Sequence, residues 1–230
     1  MARYQAIIFD LFGTIVDGFA VSTAGYQEAF STALGVPHDA LMRHWRQLTD
    51  RRTLGEFQTV EDSIQHVCDL LSATPTTEQM TRAVEIRLDL TRRALTPKPD
   101  AVATLRELRR DGFKIGLLSN CSIEIPLVWP HTVFIELFDA TVFSSLERIK
   151  KPAVEIYRLA CQRLGAAPHE CMYIADGENY ELTTAANLGL HSVLIKSPSQ
   201  AKSQELPGEA LKWQGTTIGC LTEALKLARK

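Results

Sequence analysis

Five short apolar runs, each followed by polar or glycine-containing residues, form the most regular pattern along the chain. Apolar runs of this length are typical of strands that are buried on both faces, as in a parallel sheet. The sequence therefore predicts five buried parallel strands. The runs are AIIFD (6–10), KIGLLSN (114–120), ATVFSS (140–145), CMYIAD (171–176) and HSVLI (191–195).

Segments with a helical period separate the later runs. In DAVATLRELRRDG, the apolar residues Val102, Leu105 and Leu108 recur on one face. Strands that alternate with helices of this length build βαβ units, so we expect an α/β protein with helices on both faces of a parallel sheet. The other two segments of this kind are AVEIYRLACQRLG and ELTTAANLGL.

The alternation stops between about Asp17 and Leu95, where the sequence shows helical stretches and no convincing strand. An insert after the first strand would lie above the carboxyl end of that strand, where ligands bind in open α/β sheets. We therefore expect an all-helical cap domain at residues 17–95 and a core domain formed by residues 1–16 and 96–230. The helical stretches are AGYQEAFSTALG, HDALMRHWRQLT, VEDSIQHVCDLL and TEQMTRAVEIRLDLTRRAL.

The connections beyond the insert have weaker patterns. TPKPD, with two prolines, is interpreted as the hinge back into the core. Residues 196–219 are polar and rich in turn-forming residues, and we expect a surface loop there. LTEALKLARK, at residues 221–230, is expected to close the chain as a helix.

Composition excludes several classes of protein. Hydrophobic residues make up 45% of the 230 residues and charged residues 23%, with a formal net charge of -2, which fits neither a nucleic-acid-binding nor a disordered protein. The five cysteines are widely spaced without a CxxC pair, which argues against a disulfide framework or a zinc site and favours a reducing compartment. No run approaches the roughly 18 apolar residues of a membrane span. We expect a cytoplasmic protein with no nucleic-acid or membrane partner.

Polar residues follow four of the apolar runs. Because the carboxyl ends of parallel strands meet at one edge of a sheet, we expect these residues to converge on a single pocket. They are Asp10 with Thr14, Ser119 with Asn120, Lys151, and Asp176 with Glu181.

The motifs FDLFGT, LLSN, KKP and IADGENYEL, in this order and at these intervals, resemble those of the haloacid dehalogenase (HAD) superfamily of aspartate-nucleophile hydrolases. The helical insert resembles the first-type cap of that superfamily. The resemblance spans nearly the whole chain. It implies a Rossmann-like core and a covalent aspartyl intermediate.

Four residues match catalytic positions of the superfamily. Asp10 matches the nucleophile, whose ester intermediate splits one difficult reaction into two easier steps. Taken alone, an aspartate at such a turn is about as often a cap or turn residue as a catalytic one. The presence of the other three motifs favours the catalytic interpretation. Thr14 and Ser119 match hydroxyl donors to an anionic group. Lys151 would neutralise the nucleophile and the transferred group, and the proline after it distinguishes it from Lys150.

The resemblance also implies a substrate-binding set and a metal-binding set. Phe12, Gly13 and Asn120 are expected to bind the anionic substrate, since the backbone N–H groups of such turns cradle anions. The superfamily more often has an aspartate where this chain has Glu181, so Glu181 is expected to bind a metal directly or through a water. Mg²⁺ prefers carboxylate and carbonyl oxygens. Its implied ligands are Asp10, the main-chain carbonyl of Phe12, Asp176 and Glu181.

Phe12 stands two residues after the nucleophile, where most phosphatases of the superfamily carry a second aspartate that protonates the leaving group. A positioned acid or base contributes roughly 10²- to 10⁴-fold in rate, so we expect alcohol phosphates to be poor substrates. Three interpretations remain open: a hydrolase whose leaving group needs no proton, a phosphatase whose cap supplies the proton, and a phospho-ligand-binding protein without turnover. Cap residues considered as the proton donor are His44, Glu28, Asp50 and Glu56.

The sequence favours a Mg²⁺-dependent phosphatase that acts on a small phosphorylated, anionic metabolite. The alternative is a 2-haloacid dehalogenase, because those enzymes have motifs similar to DLFGT and LLSN, with an aromatic residue at the position of Phe12. They lack the metal-binding acids that IADGENYEL retains, and they attack a carbon atom without Mg²⁺. The retained acids therefore favour phosphoryl chemistry.

Overall fold

The computed structural model describes residues 4–18, 23–196 and 208–229. Its strands are β1 (Ala6–Phe9), β2 (Lys114–Ser119), β3 (Ala140–Phe143), β4 (Cys171–Ala175), β5 (His191–Ile195) and β6 (Thr216–Ile218). They form one sheet in the spatial order β3-β2-β1-β4-β5-β6, in which every neighbouring pair is parallel. The prediction of an α/β fold with a Rossmann-like parallel core is confirmed.

Helices cover both faces of this sheet. Ile7 and Phe9 of β1 belong to one hydrophobic cluster, and Ala6 and Ile8 belong to another, because successive side chains of a strand point to opposite faces. This burial on two sides explains the continuous apolar runs. None of the described helices is long and apolar enough to cross a bilayer. The helices are α1 (Ala24–Leu34), α2 (His38–Gln47), α3 (Thr49–Thr53), α4 (Val60–Leu70), α5 (Thr77–Ala94), α6 (Ala101–Arg110), α7 (Glu124–Val128), α8 (Ser144–Glu147), α9 (Val154–Leu164), α10 (Glu181–Leu188), α11 (Gly208–Lys212) and α12 (Thr222–Ala228).

The prediction of a surface loop at residues 196–219 is wrong for two described parts of that segment. β6 extends the sheet through its pairing with β5, and α11 is a short helix. Three residues, two of them threonines, carry too little apolar pattern to predict a strand. β6 forms because the edge of β5 offers backbone groups that need partners. Residues 197–207 lie outside the described part of the chain.

The helices α1 to α5 form a helical unit inserted between β1 and α6. Phe30, Trp45 and other buried residues of this unit pack into a third cluster, separate from the two that flank the sheet. Thr59 and Thr76 start α4 and α5 as the N-caps of capping boxes, which satisfy backbone N–H groups that have no partner inside the helix. The prediction of an all-helical insert is confirmed for its described residues, and α3 is present in addition to the four predicted stretches.

The strand register brings the ends of β1, β2 and β4 together. Phe9, the last residue of β1, pairs with Leu117 of β2 and with Ile174 of β4. Asp10 follows Phe9 directly, and Asp176 follows two residues after Ile174. The polar residues of three separate chain segments therefore leave the sheet at one edge.

Candidate active site

Asp10 lies at the centre of this edge, with 6% of its surface exposed. The Nζ atom of Lys151 lies 2.5 Å from Asp10 Oδ1. The Thr14 hydroxyl donates a 3.2 Å hydrogen bond to Oδ2, because the turn after β1 returns Thr14 toward the strand end. Asp10 therefore faces a cation from a distant part of the chain in addition to its local turn contact.

Lys151 connects Asp10 to a second acid. Its Nζ atom also lies 2.5 Å from Glu181 Oε2 and donates a 3.2 Å hydrogen bond to the hydroxyl of Tyr173. Asn120 holds the backbone of Lys151 from both sides, donating from Nδ2 to the carbonyl at 3.0 Å and accepting from the amide at 2.8 Å. Asn120, expected to bind substrate, thus also positions the ammonium group.

Glu181 is surrounded by donors from the protein itself. Its Oε2 accepts from Lys151 and, at 2.6 Å, from the Tyr173 hydroxyl. Its Oε1 accepts from the amides of Gly177 and Glu178, at 3.2 Å each. A carboxylate has about four lone-pair sites, and these four donors use them. Glu181 therefore holds Lys151 and the loop after β4 in place.

Asp176 is the least satisfied of the three acids, although only 8% of its surface is exposed. Among the described residues, its carboxylate accepts one long hydrogen bond, 3.4 Å from the amide of Glu178. Gly13, with φ 73°, packs directly against it, and a Cβ atom at residue 13 would lie 2.1 Å from Asp176 Oδ2. This turn therefore requires glycine, both for its left-handed backbone and for the close approach of the acid.

Three buried carboxylates face one ammonium group in this cluster. Burial raises the pKa of Asp10 to about 6, although Lys151 opposes the shift. Burial, together with the charges of Asp10 and Glu181, raises the pKa of Asp176 to about 8. Burial alone would lower the pKa of Lys151, but Asp10 and Glu181 outweigh it and raise this pKa above its usual range. The cluster therefore has excess negative charge that a further cation would neutralise.

The donor set fits a divalent cation. Carboxylate oxygens of Asp10, Asp176 and Glu181 lie within 4.8 Å of one another and all three residues are buried. Oxygen ligands of this kind suit Mg²⁺. Burial raises the pKa values of Asp10 and Asp176, and a bound cation would favour their ionised forms, whereas the oxygens of Glu181 already accept four hydrogen bonds. The arrangement fits direct coordination by the first two acids better than by Glu181.

The turn after β1 and the end of β2 place the remaining predicted residues. Ser119 Oγ is buried without a nitrogen or oxygen partner among the described residues, and it lies within hydrogen-bonding reach of the Cys121 thiol. Phe12 packs against the hydrophobic cluster on one face of the sheet. The carbonyl of Gly13 accepts a hydrogen bond from the buried Lys98, a residue of the predicted hinge TPKPD. The hinge segment thus contacts the loop that carries Asp10.

A cavity of about 380 Å³ lies between the helical unit and the core. Phe12 and Asn120 line it and connect it to the acidic cluster. The lining is mostly apolar and aromatic, with Arg52 and Arg87 as its charged groups, and no carboxylate or imidazole is among the described residues that line it. The volume is near the lower end of the range for small-molecule sites.

The structure does not bring the four residues considered as the proton donor to this cavity. Asp50 and Glu56 form surface ion pairs at 2.6 Å, and His44 and Glu28 are also absent from the lining. Neighbouring residues of a helix point about 100° apart, so α2 directs Trp45 into the cavity and turns His44 away. None of these four candidates is therefore among the described residues that line the cavity.

Four residues in or beside this site were not singled out from the sequence: Tyr173, the cavity-lining Arg52 and Arg87, and Glu124, which forms ion pairs with both arginines. Tyr173 and Glu124 have a readable signal, because a tyrosine in a buried run, or an acid within the apolar segment SIEIPLV, needs a polar partner. Arg52 and Arg87 have none, since the helical unit contains many other arginines. Only the packing of the unit against the core selects these two.

Comparisons with known proteins agree with this fold and with a hydrolase family. A family model described as haloacid dehalogenase-like hydrolase matches residues 4–189. An (S)-2-haloacid dehalogenase of Pseudomonas putida is 28% identical over 206 residues, which cover 82% of this chain and 83% of that protein. Hexitol phosphatase A of Escherichia coli K12 is 27% identical over 200 residues, 86% of this chain and 85% of that one. The crystal structure of a 2-haloacid dehalogenase from Pseudomonas syringae, 17% identical, has a similar fold with a TM-score of 0.72 over 97% of both chains.

Proposed function

The chain belongs to the haloacid dehalogenase-like hydrolases, since the model of that family matches residues 4–189, and we propose that it is a Mg²⁺-dependent phosphatase of a small phosphorylated metabolite. The observation that carries this proposal is Asp176. It is a buried carboxylate beside Asp10 with a single long hydrogen bond among the described residues. An acid in this position costs stability unless a cation or a proton joins it.

Asp10 is the proposed nucleophile. Its Oδ2 attacks the phosphorus atom, and the bond from phosphorus to the leaving oxygen breaks with its electron pair on the leaving group. Lys151 remains at Oδ1 and neutralises part of the charge, while Thr14 and Ser119 donate to phosphoryl oxygens. Water then attacks the phosphorus of the aspartyl phosphate, and the bond from phosphorus to Asp10 Oδ2 breaks with its electron pair on Asp10. The proton of the water stays on the released hydrogen phosphate, and the Asp10 carboxylate is restored.

Asp10, Asp176 and the main-chain carbonyl of Phe12 would hold the Mg²⁺ ion. When bound, the ion screens the repulsion between a carboxylate nucleophile and a phosphate dianion. Glu181 supports the site from behind by holding Lys151. Gly13 and Asn120 would bind the anionic substrate. The close contact of Gly13 with Asp176 leaves no room for a side chain at residue 13, so the backbone of the turn faces the anion.

The class of substrate is inferred from the absence of a proton donor for the leaving group among the described residues that line the cavity. Phe12 cannot transfer a proton, and the described lining contains no carboxylate or imidazole to replace it. The leaving group must therefore depart as a stable anion. The carboxylate released from an acyl phosphate and the oxygen of an acidic phenol satisfy this condition, whereas the alkoxide of a sugar does not.

The domain division and the location complete the proposal. Residues 17–95 act as a cap and residues 1–16 and 96–230 as the core; this is supported by the separate cluster of the helical unit. Ser144 on the core side donates a 2.6 Å hydrogen bond to the carbonyl of Thr53, so the two parts meet directly. A cytoplasmic location is supported by the free thiols of all five cysteines.

A 2-haloacid dehalogenase is the second candidate. Phe12 favours it, because displacement of halide from carbon needs no proton on the leaving group, and Lys151 already neutralises one side of Asp10. The Pseudomonas putida relative is a named example of that activity. Asp176 has no task in that reaction.

The two candidates are separated by one set of assays. Purified protein is incubated with p-nitrophenyl phosphate and, separately, with (S)-2-chloropropionate, each in Mg²⁺ or in EDTA. Release of phosphate that stops in EDTA supports the phosphatase, and release of chloride that persists in EDTA replaces it with the dehalogenase. No product in any tube indicates a binding protein and contradicts both.

The nucleophile is tested with Asp10→Asn. We expect turnover to fall below detection in this variant while its circular dichroism spectrum stays that of the wild type. Asp17→Asn is the matched control, because the side chain of Asp17 is 65% exposed and its variant should keep full activity. Normal turnover by Asp10→Asn would exclude the aspartyl mechanism.

A further inference from the structure

Three charged side chains are buried together beside the cavity, apart from the acidic cluster. Arg52 and Arg87 come from the helical unit and Glu124 from the core. Arg87 Nη2 lies 3.1 Å from Glu124 Oε1, and Arg52 Nη1 lies 3.8 Å from the same oxygen. The side chains are 11%, 13% and 1% exposed for Arg52, Arg87 and Glu124, respectively.

The charges of this group do not balance. Two guanidinium groups share one carboxylate. Burial would raise the pKa of Glu124, but the two arginines outweigh it and hold that pKa below its usual value. Burial lowers the pKa of Arg52 to about 10, Glu124 opposes this shift, and Arg87 adds to it by repulsion. Glu124 and Arg52 are therefore charged at neutral pH. Two guanidinium groups against one carboxylate leave one positive charge in excess inside the protein.

The hydrogen bonds of the group are also incomplete. Arg52 Nε, Arg87 Nε and Glu124 Oε2 are buried, and none has a hydrogen-bond partner among the described residues. Buried polar atoms normally have partners because an unmade hydrogen bond is costly. A cluster that served only to join the helical unit to the core would be expected to satisfy its own atoms.

Trp45 fixes the direction of both arginines. The Cζ atoms of Arg52 and Arg87 lie 4.2 Å and 4.8 Å from the centre of its ring. Stacking of this kind orients the planar guanidinium group and leaves its edges for hydrogen bonds. Both arginines line the same cavity as Phe12 and Asn120, the residues that connect it to Asp10.

We propose that Arg52 and Arg87 form a carboxylate-binding subsite, so that the substrate is a compact acyl or aryl phosphate that also carries a free carboxylate. This inference rests on the phosphatase function proposed above. The phosphoryl group reaches Asp10, the carboxylate receives paired hydrogen bonds from guanidinium groups, and an apolar middle part fits against the aromatic walls. The carboxylate supplies the negative charge that the two arginines lack.

The test compares two probes that are not hydrolysed. Benzylphosphonate and 3-carboxybenzylphosphonate are titrated into the wild-type protein in Mg²⁺ by isothermal calorimetry. They differ only by the carboxylate. We expect the carboxylated probe to bind at least about tenfold more tightly, as a charge-assisted pair of hydrogen bonds requires.

Variants then assign this preference to the two arginines. Arg52→Gln and Arg87→Gln should each bind the two probes within about threefold of one another, because one paired contact is lost. Each variant keeps one arginine for Glu124, and circular dichroism verifies its fold. Arg87→Lys, which keeps the charge without the planar fork, should retain part of the preference. Arg51→Gln is the matched control, since Arg51 pairs on the surface with Glu56 and should keep the full preference.

The outcomes separate the subsite from the phosphatase function. Equal binding of the two probes to the wild type, no binding of either, or a preference that survives in Arg52→Gln and Arg87→Gln overturns the subsite. Chloride release with no phosphate release in the substrate assays overturns the phosphatase function. A carboxylate preference that persists in that case would still support Arg52 and Arg87 as the residues that recognise the acid.

Discussion

Replacing Asp176 with asparagine tests the electrostatics of the acidic cluster in the metal-free protein. Burial and the charges of Asp10 and Glu181 raise the pKa of Asp176 from 3.8 to about 8. The unfolded chain therefore releases this proton near pH 4, while the folded protein keeps it until about pH 8. The stability that the protonated group contributes is complete below pH 4 and is lost as the pH rises to about 8. Asparagine has no proton to release, so it removes this loss.

The size of the effect follows from the shift. One pH unit over which the two states differ by one proton corresponds to about 1.4 kcal/mol, so a shift from 3.8 to about 8 sets an upper limit of about 6 kcal/mol. In a chain of this length 1 kcal/mol changes Tm by roughly 2–4 °C. Between pH 5 and pH 8.5 in EDTA, we expect the Tm of the wild type to fall about 10 °C further than that of Asp176→Asn.

The assay is thermal unfolding followed by circular dichroism, in EDTA and in Mg²⁺. Asp69→Asn is the control, because this exposed aspartate at the end of α4 should leave the pH dependence unchanged. Mg²⁺ at about 100 times its Kd should stabilise the wild type by about 2.7 kcal/mol and should not stabilise Asp176→Asn. Parallel Tm curves for wild type and Asp176→Asn in EDTA would refute the charge argument, and equal stabilisation by Mg²⁺ would refute Asp176 as a ligand.

Two further changes have clear expected results. Phe12→Asp should raise turnover of alkyl phosphates by about 10²- to 10⁴-fold through proton transfer to the leaving oxygen. Phe12→Asn removes the ring without adding an acid and should give no gain in turnover. Equal rates in the two variants would contradict this explanation. Lys151→Met should lower the free energy of unfolding by about 3–5 kcal/mol in urea, since it leaves buried acids without their cation. Lys150→Met should lower the free energy of unfolding by at most about 1 kcal/mol, because Asp50, the partner of Lys150, is 77% exposed. Similar decreases in the two variants would show that Lys151 is not a buried counter-ion.

Much of the fold was readable because the apolar pattern is set locally. β1, β2 and β4 lie in the interior of the sheet, and their runs are continuously apolar apart from Lys114 and Ser119 at the two ends of β2. The edge strand β6 does not need to be apolar throughout, and with two threonines among its three residues the sequence does not predict it as a strand. Thr59 and Thr76 also mark their helix starts in the sequence, because a capping box uses residues only three positions apart.

For the candidate site too, the sequence predicted which residues come together but not how they are bonded to one another. Asp10, Lys151, Asp176 and Glu181 follow strands whose ends must share one edge of a parallel sheet, so their approach was predictable from topology. The distribution of bonds among them was not, because it depends on Tyr173 reaching Glu181 Oε2 at 2.6 Å. That contact makes Glu181 a partner of Lys151, whereas Asp176 keeps a single long hydrogen bond among the described residues.

By itself, the sequence determined the α/β class, the helical insert and the set of acids and the lysine at the strand ends, because each depends on period and order along the chain. Only the tertiary structure decided which side chains of the insert face the core. Arg52 and Arg87 enter the cavity, whereas His44, Asp50 and Glu56 do not. The physical reason is that the surroundings of a side chain depend on the rotation and docking of whole helices, and these are determined by contacts between residues far apart in sequence, such as the 3.1 Å pair of Arg87 and Glu124.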